Sequence, residues 1–265
     1  MAAIVAVLSQ KGGTGKTTTV RTLTDIFRRT GLNTLAVDLD PQGNLSDYFD
    51  LPPEAEPTIA DVLSGRATAA GAVHDGVIPA NLQLAEAEIA LGGKMGREMT
   101  LKRALRDVAD DYDVILVDCP PALGLLTVNA LVAADQALIT AEAQYFALQG
   151  VEQALEVIDL ARESLNPDLQ WLGVVLNLAD MRTVHSREAL QSLSQNFGDR
   201  VFQTTIRQSI GYAESAERAI SIIDYRPDLG ADYIALAGEL LDRLELPGAR
   251  RRLDSVLGAA GNGRR

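Results

Sequence analysis

The sequence has one cysteine, two histidines and only twelve aromatic side chains in 265 residues. A single thiol, Cys119, excludes an internal disulfide and any cluster held by several cysteines of one chain, and it fits a reducing cytoplasm. Burial in an apolar segment makes it a small packing residue rather than a nucleophile. His74 and His185 have no second ligand at metal spacing and read as surface residues. Aromatics are too few to stack the bases of a single strand, and Trp171 reads as core or strand edge. No apolar run approaches the roughly 20 residues that span a bilayer. The opening MAAIVAVLSQ lacks the charged flank and cleavage site of a signal peptide, so it reads as a buried strand. Lysine is absent after Lys102, which leaves later cationic chemistry to arginine.

What is present points to one folded domain. Apolar residues make up 47% and charged residues 23%, which excludes a disordered chain. The formal charge of −12 argues against a protein that coats nucleic acid by bulk charge. The charge is uneven. Residues 181–226 hold six arginines and five acids, and residues 246–265 hold five arginines and one aspartate. Apolar β-branched runs at Ala3–Leu8, Thr34–Asp38, Asp113–Asp118, Gln136–Ala141 and Leu172–Asn177 alternate with segments of helical period at 17–29, 125–134, 147–165 and 228–244. That alternation predicts an α/β fold: a single-domain, twisted, mostly parallel sheet with helices on both faces. Pro52–Pro57 and residues 65–76 read as surface loops. There is no internal repeat and no second domain boundary. The expected division is a domain over 1–245 followed by a basic, loose tail over 246–265, with Pro247 and several glycines breaking it.

The strongest motif is KGGTGKTT, Lys11–Thr18, placed between a strand and a helix. Gly12, Gly13 and Gly15 let backbone N–H groups, with that of Thr14, turn onto phosphate oxygens without a Cβ clash. The helix starting near Lys16 adds its N-terminal dipole. Lys16 would reach the β- and γ-phosphates, Thr17 would ligate Mg²⁺ and Thr18 would donate to the α-phosphate. The ordinary phosphate loop opens with glycine, where this chain has Gln10; a second lysine, Lys11, follows instead.

That variant resembles the deviant Walker A loop of the ParA/MinD superfamily of ATPases. LAVDLDPQGN (Leu35–Asn44) looks like the second-strand motif of that family, and VDCPP (Val117–Pro121) looks like its Walker B. The resemblance covers roughly residues 1–245 and is closest to the chromosome- and plasmid-partition branch. It implies a slow, Mg²⁺-dependent, partner-stimulated ATPase in which two subunits sandwich two ATP molecules. Lys11 would cross the dimer interface to the partner's ATP, Asp40 would orient the attacking water, and Asp118 would hold Mg²⁺ through water. Asp38 would support Mg²⁺ or a lysine, and Asn177 would read adenine.

The partition branch binds double-stranded DNA without sequence preference as an ATP-bound homodimer, and a ParB-like activator stimulates release. By that resemblance the protein would be cytoplasmic, and nucleoid-associated when ATP-bound. Arg182, Arg187, Arg200, Arg207, Arg218 and Arg226 are the candidate DNA contacts. The chain departs from the branch at Ile206–Gln208, where relatives often have Pro-Arg-Asn, and near Arg218–Ile220, where they often have Gly-Lys-Pro. Leu253, Val256 and Leu257 share a helical face beside Arg250–Arg252, but three apolar side chains bury too little for a stable membrane anchor. Three readings stand: a partition ATPase, an ATPase of the same core that positions a protein cargo or acts at a membrane as MinD does, and a metabolic P-loop enzyme.

Overall fold

The β-branched run at the start of the chain forms β1 (Ala3–Leu8), and the helical spacing after the glycine loop forms α1 (Lys16–Arg29). The structure is a computed structural model that describes residues 2–262, with side chains as far as Asp254. Four further predicted strands follow: β2 (Thr34–Asp38), β4 (Val114–Asp118), β5 (Gln136–Glu142) and β6 (Gln170–Ala179). Two more, β3 (Val77–Ile78) and β7 (Val201–Arg207), were not expected. The seven strands form one sheet in the order β3-β2-β4-β1-β5-β6-β7, and every neighbouring pair is parallel. The two unexpected strands are the two edges. β7 is covered less completely than a central strand and so lacks a continuous apolar run, while β3, though buried, is only two residues long.

Side chains alternate across the sheet as strand geometry requires. Val5, Val7, Val114 and Leu116 face α1 and α11 (Pro227–Arg243), packing with Val20, Leu23, Tyr233 and Leu240. Ala6, Leu8, Ile115 and Val117 face the opposite layer, which holds α6 (Leu125–Ala133) and α7 (Ala147–Ser164). Helices missed by the sequence reading fill the rest, all short but α8: α2 (Asn44–Tyr48), α3 (Ile59–Ser64), α4 (Gln83–Leu91), α5 (Thr100–Arg106), α8 (Val184–Phe197), α9 (Gly211–Glu217) and α10 (Ile222–Tyr225). The chain leaves β1 toward one edge, then steps from β4 past β1 to β5 on the other side. The reversal opens a crevice at the carboxyl ends of β1 and β4, where ligands bind in open α/β sheets.

The loose tail expected after residue 245 is a correction. α12 (Pro247–Asn262) continues the fold, with Pro247 at its start, where a proline suits a helix. Ala249 and Leu253, one helical turn apart, are buried against the α1–α11 layer. Arg252 donates to the carbonyl of Thr30, just past the end of α1. The side chains of Val256 and Leu257 lie outside the described residues. Among the described residues no helix is long and apolar enough to cross a membrane.

Candidate nucleotide site

The glycine loop between β1 and α1 folds around Ser9. Its hydroxyl donates to the carbonyl of Lys11 at 2.7 Å and accepts from Thr14 Oγ1 at 2.9 Å and from Lys16 Nζ at 3.1 Å. Thr14 also meets Thr140 of β5 at 3.0 Å. Gly15 starts α1 at φ +84, and a Cβ there would fall 2.7 Å from Asn177 Nδ2, so glycine is required twice over. No side chain caps α1 and no acid lies in its first turn, so the first N–H groups are open to an anion. Lys16 is buried, and burial lowers its pKa against the opposing pull of Asp118. Its ammonium meets two neutral oxygens, those of Ser9 and of Lys11 at 3.3 Å. A buried cation held only by neutral partners suits a phosphate.

Strand register sets the carboxylates. Asp38 of β2 lies directly beside Asp118 of β4, which lies beside Val7 of β1. Asp118 Oδ2 accepts from the Thr17 hydroxyl at 2.7 Å, while Oδ1 is buried without a partner. Burial, with the neighbouring Asp38, pushes Asp118 up to about 8. An orphaned carboxylate oxygen beside a threonine hydroxyl and a phosphate loop is a donor set that fits Mg²⁺. Asp38 is pushed up to about 6, chiefly by burial. Its oxygens accept from the Ser46 N–H at 2.9 Å, the Ser46 hydroxyl at 2.8 Å and the Asp40 N–H at 3.1 Å. These bonds make Asp38 the anchor of the turn that carries Asp40. Asp40 is half-buried, with Oδ1 accepting from the Gln42 N–H at 3.0 Å. It shares a cleft of about 830 Å³ with Gly12, Gly13, Lys16, Thr17 and Pro121. That volume lies within the range of small-molecule sites.

A chain with this site and topology has close relatives. The AAA domain family matches residues 2–171. The sporulation initiation inhibitor protein Soj of Bacillus subtilis is 39% identical over 249 residues, covering 91% of this chain and 98% of its own. The chromosome partitioning protein ParA of Myxococcus xanthus is 35% identical over 259 residues, covering 94% and 92%. The chain belongs to the ParA/MinD superfamily of P-loop ATPases. It stands near the ParA branch. Among solved structures, the cobyrinic acid a,c-diamide synthase of Mycobacterium smegmatis with bound ADP and magnesium is 37% identical, with a TM-score of 0.74 over 83% of this chain and 93% of that one. The septum site-determining protein MinD of Pyrococcus horikoshii with Mg-ADP shares the fold, at 24% identity and a TM-score of 0.76 over 94% and 99%.

Within this superfamily fold, the remaining predicted residues fall unevenly. Asn177, the residue expected to read adenine, keeps its side-chain oxygen Oδ1 buried without a partner. It is buried beneath the loop, with Nδ2 donating to the Thr14 carbonyl at 2.8 Å and lying 3.4 Å from Thr19 Oγ1. It braces the phosphate loop from β6. The far wall of the cleft is instead Leu178, Tyr212, Ala213, Ala216 and Ala219, which sequence reading missed. The positive φ of Ala219, 51°, gave no sequence signal, because alanine does not advertise that conformation. Thr18 lines the same cleft. Lys11 is exposed at the rim, its ammonium 5.6 Å from the centre of the Phe146 ring. Cys119 is fully buried and its thiol is driven far above the ordinary value, so it is inert.

The six arginines do not share one face. Arg182, Arg187 and Arg207 lie at or just past the carboxyl ends of β6 and β7, and Arg218 and Arg226 lie on the connections between α9 and α11. Arg200 sits before the amino end of β7, over the Trp171 ring, roughly 20 Å of strand away from Arg207. Asp180, Asp232 and Asp228 pair with Arg182, Arg207 and Arg226 respectively. Arg187 donates to the carbonyls of Met181 and Arg182, and Arg218 leans over Tyr225.

Proposed function

We propose that this chain is a DNA-partition ATPase: it binds ATP with Mg²⁺, dimerises face to face, holds double-stranded DNA without sequence preference, and releases it when a ParB-like activator stimulates hydrolysis. The observation that carries the reading is the outward station of Lys11. Lys16 already occupies the interior of the loop, and Lys11 stands exposed at the rim, free to reach phosphates that belong to another subunit. The names of Soj and ParA, at 35–39% identity over nearly the whole chain, support the biological setting.

In this reading Lys16 and the loop N–H groups bind the β- and γ-phosphates. Thr17 and Asp118 would hold Mg²⁺, which spreads triphosphate charge when bound. Asp40 orients water for in-line attack, so a water oxygen–phosphorus bond forms as the bond to the ADP oxygen breaks. Lys11 of the second subunit neutralises charge on the same phosphates and closes the cleft to bulk water.

A salt-titrated DNA-binding measurement with ATP, with ADP and without nucleotide tests this. Binding of random duplex with ATP alone, falling steeply with salt, is the expected result. A second reading, a metabolic P-loop enzyme, is favoured by the likeness to the diamide synthase. Phosphorylation of a small acceptor with no ATP-dependent DNA binding would select it.

A further inference from the structure

Twelve aromatic side chains are distributed through this chain, and ten are buried or half-buried. The two exceptions are adjacent. Tyr145 is 80% exposed and Phe146 is 55% exposed. Their rings meet edge to face with centroids 5.1 Å apart. They lie on the turn between β5 and α7, and Phe146 is the N-cap residue just before α7. A helix start favours serine, threonine, aspartate or asparagine, whose side chains satisfy free N–H groups. Phe146 makes no capping bond, so local structure does not account for it. The third member of the cluster is Lys11, whose ammonium lies over the Phe146 ring. The only two exposed aromatics of the chain therefore touch each other, and one of them touches the lysine that opens the phosphate loop.

We infer that Tyr145 and Phe146 form, with Lys11, an apolar dock for a second copy of this chain. The inference rests on the ATP-dimer reading given above and names the surface that holds that dimer together. If Lys11 reaches the partner's phosphates, whatever touches Lys11 must lie in or beside the same interface. Each chain carries a formal charge of −12, so two copies repel at long range. Association then needs short-range burial, and a solvent-facing aromatic pair supplies the kind of side chain on which interface energy concentrates. The dock also gives Lys11 a fixed starting position. A flexible four-carbon stem resting on a ring loses less freedom on docking than one moving in water.

The test compares the full chain with Tyr145→Ser and Phe146→Ser, singly and together, by sedimentation with a slowly hydrolysed ATP analogue and Mg²⁺. Nucleotide affinity is measured in parallel, with Lys16→Ala as the control of weakened binding. Both sites are exposed, so the variants fold, and a thermal melt checks this. The expected result is a dimer dissociation constant raised about tenfold or more in the double variant, with the analogue still bound. An unchanged dissociation constant overturns the inference while leaving the ATP dimer standing. Loss of dimer together with loss of nucleotide overturns it too, because the pair would then serve the nucleotide cleft. An intact dimer that loses capture by anionic-lipid vesicles would give the pair to a membrane instead. A wild-type chain that stays monomeric with the analogue refutes the dimer reading itself, and the dock with it.

Discussion

Asp118 has one oxygen satisfied by Thr17 and one buried without a partner, beside a second carboxylate on the next strand. Its raised pKa means the folded chain holds a proton that the unfolded chain releases near pH 4. Stability from that group is present below pH 4 and is lost as pH rises toward about 8. Between those values the ligand-free wild type is expected to lose melting temperature relative to Asp118→Asn, which has no such proton to lose. Parallel melts without Mg²⁺ check the difference, and equal slopes would remove the electrostatic account. The two lysines of the loop should separate cleanly. Lys16→Ala is expected to weaken ATP binding about a hundredfold, near the 2–3 kcal/mol of lost charge-assisted bonds. Lys11→Ala should bind ATP as the wild type does and fail to dimerise. Calorimetry and sedimentation read the two effects independently. The place of Lys16 and Thr17 in a phosphate loop was legible from the motif because glycines and a lysine at fixed spacing have few other uses. That Asn177 braces the loop was not, because the depth of a side chain below a turn is a product of packing. Nor was the role of Asp38 as anchor of the Asp40 turn, which depends on Ser46 arriving from α2.

Among elements, legibility followed coverage. The five central strands carry unbroken apolar runs because both faces are covered. β7, VFQTTIR, exposes Gln203 and half-exposes Thr204 and Thr205, so its pattern is diluted, and β3 spans only two residues. Helices of four to seven residues, such as α2, α9 and α10, are too short to show a period. α12 was misread for another reason: its composition is basic and glycine-rich, and the apolar residues that pack its described part are only Ala249 and Leu253. Leu253→Ala is therefore expected to cost about 2 kcal/mol or more, by lost burial plus the cavity left behind. A urea midpoint shifted downward at unchanged slope would show it, and no shift would return the segment to a loosely attached tail. Close approach also limits β6. Gly173 adopts φ +145, and a Cβ there would fall 2.3 Å from the Arg200 carbonyl, so no larger residue fits beside β7.

For the whole molecule, the fold class, the parallel sheet and the place of the phosphate loop were readable from alternation and one motif. The distribution of charge over the surface was not, because arginines distant in sequence are grouped or parted only by the fold. Arg200 and Arg207 bracket the same strand and so face opposite ends of the molecule. If DNA lies across the end that carries Arg218, Arg218→Glu should lower ATP-dependent duplex affinity tenfold or more at low salt and flatten the salt dependence. Arg200→Glu should leave both within about twofold. Equal losses from the two variants would mean that the duplex wraps around the sheet rather than resting on one end.

The strands all run the same way, so the loops that follow them gather on one rim while the opposite rim holds Trp171, Arg200, Arg243 and the start of β1. The two rims can therefore diverge independently. Changes on the rim opposite the phosphate loop act on packing around Trp171, Arg200 and Arg243 rather than on the nucleotide cleft. Replacement of the exposed residues Met181, Arg182, Gln208 and Ile210, which lie on the carboxyl rim but outside the nucleotide cleft, could re-address the molecule to a different partner without loosening the scaffold that grips the phosphates.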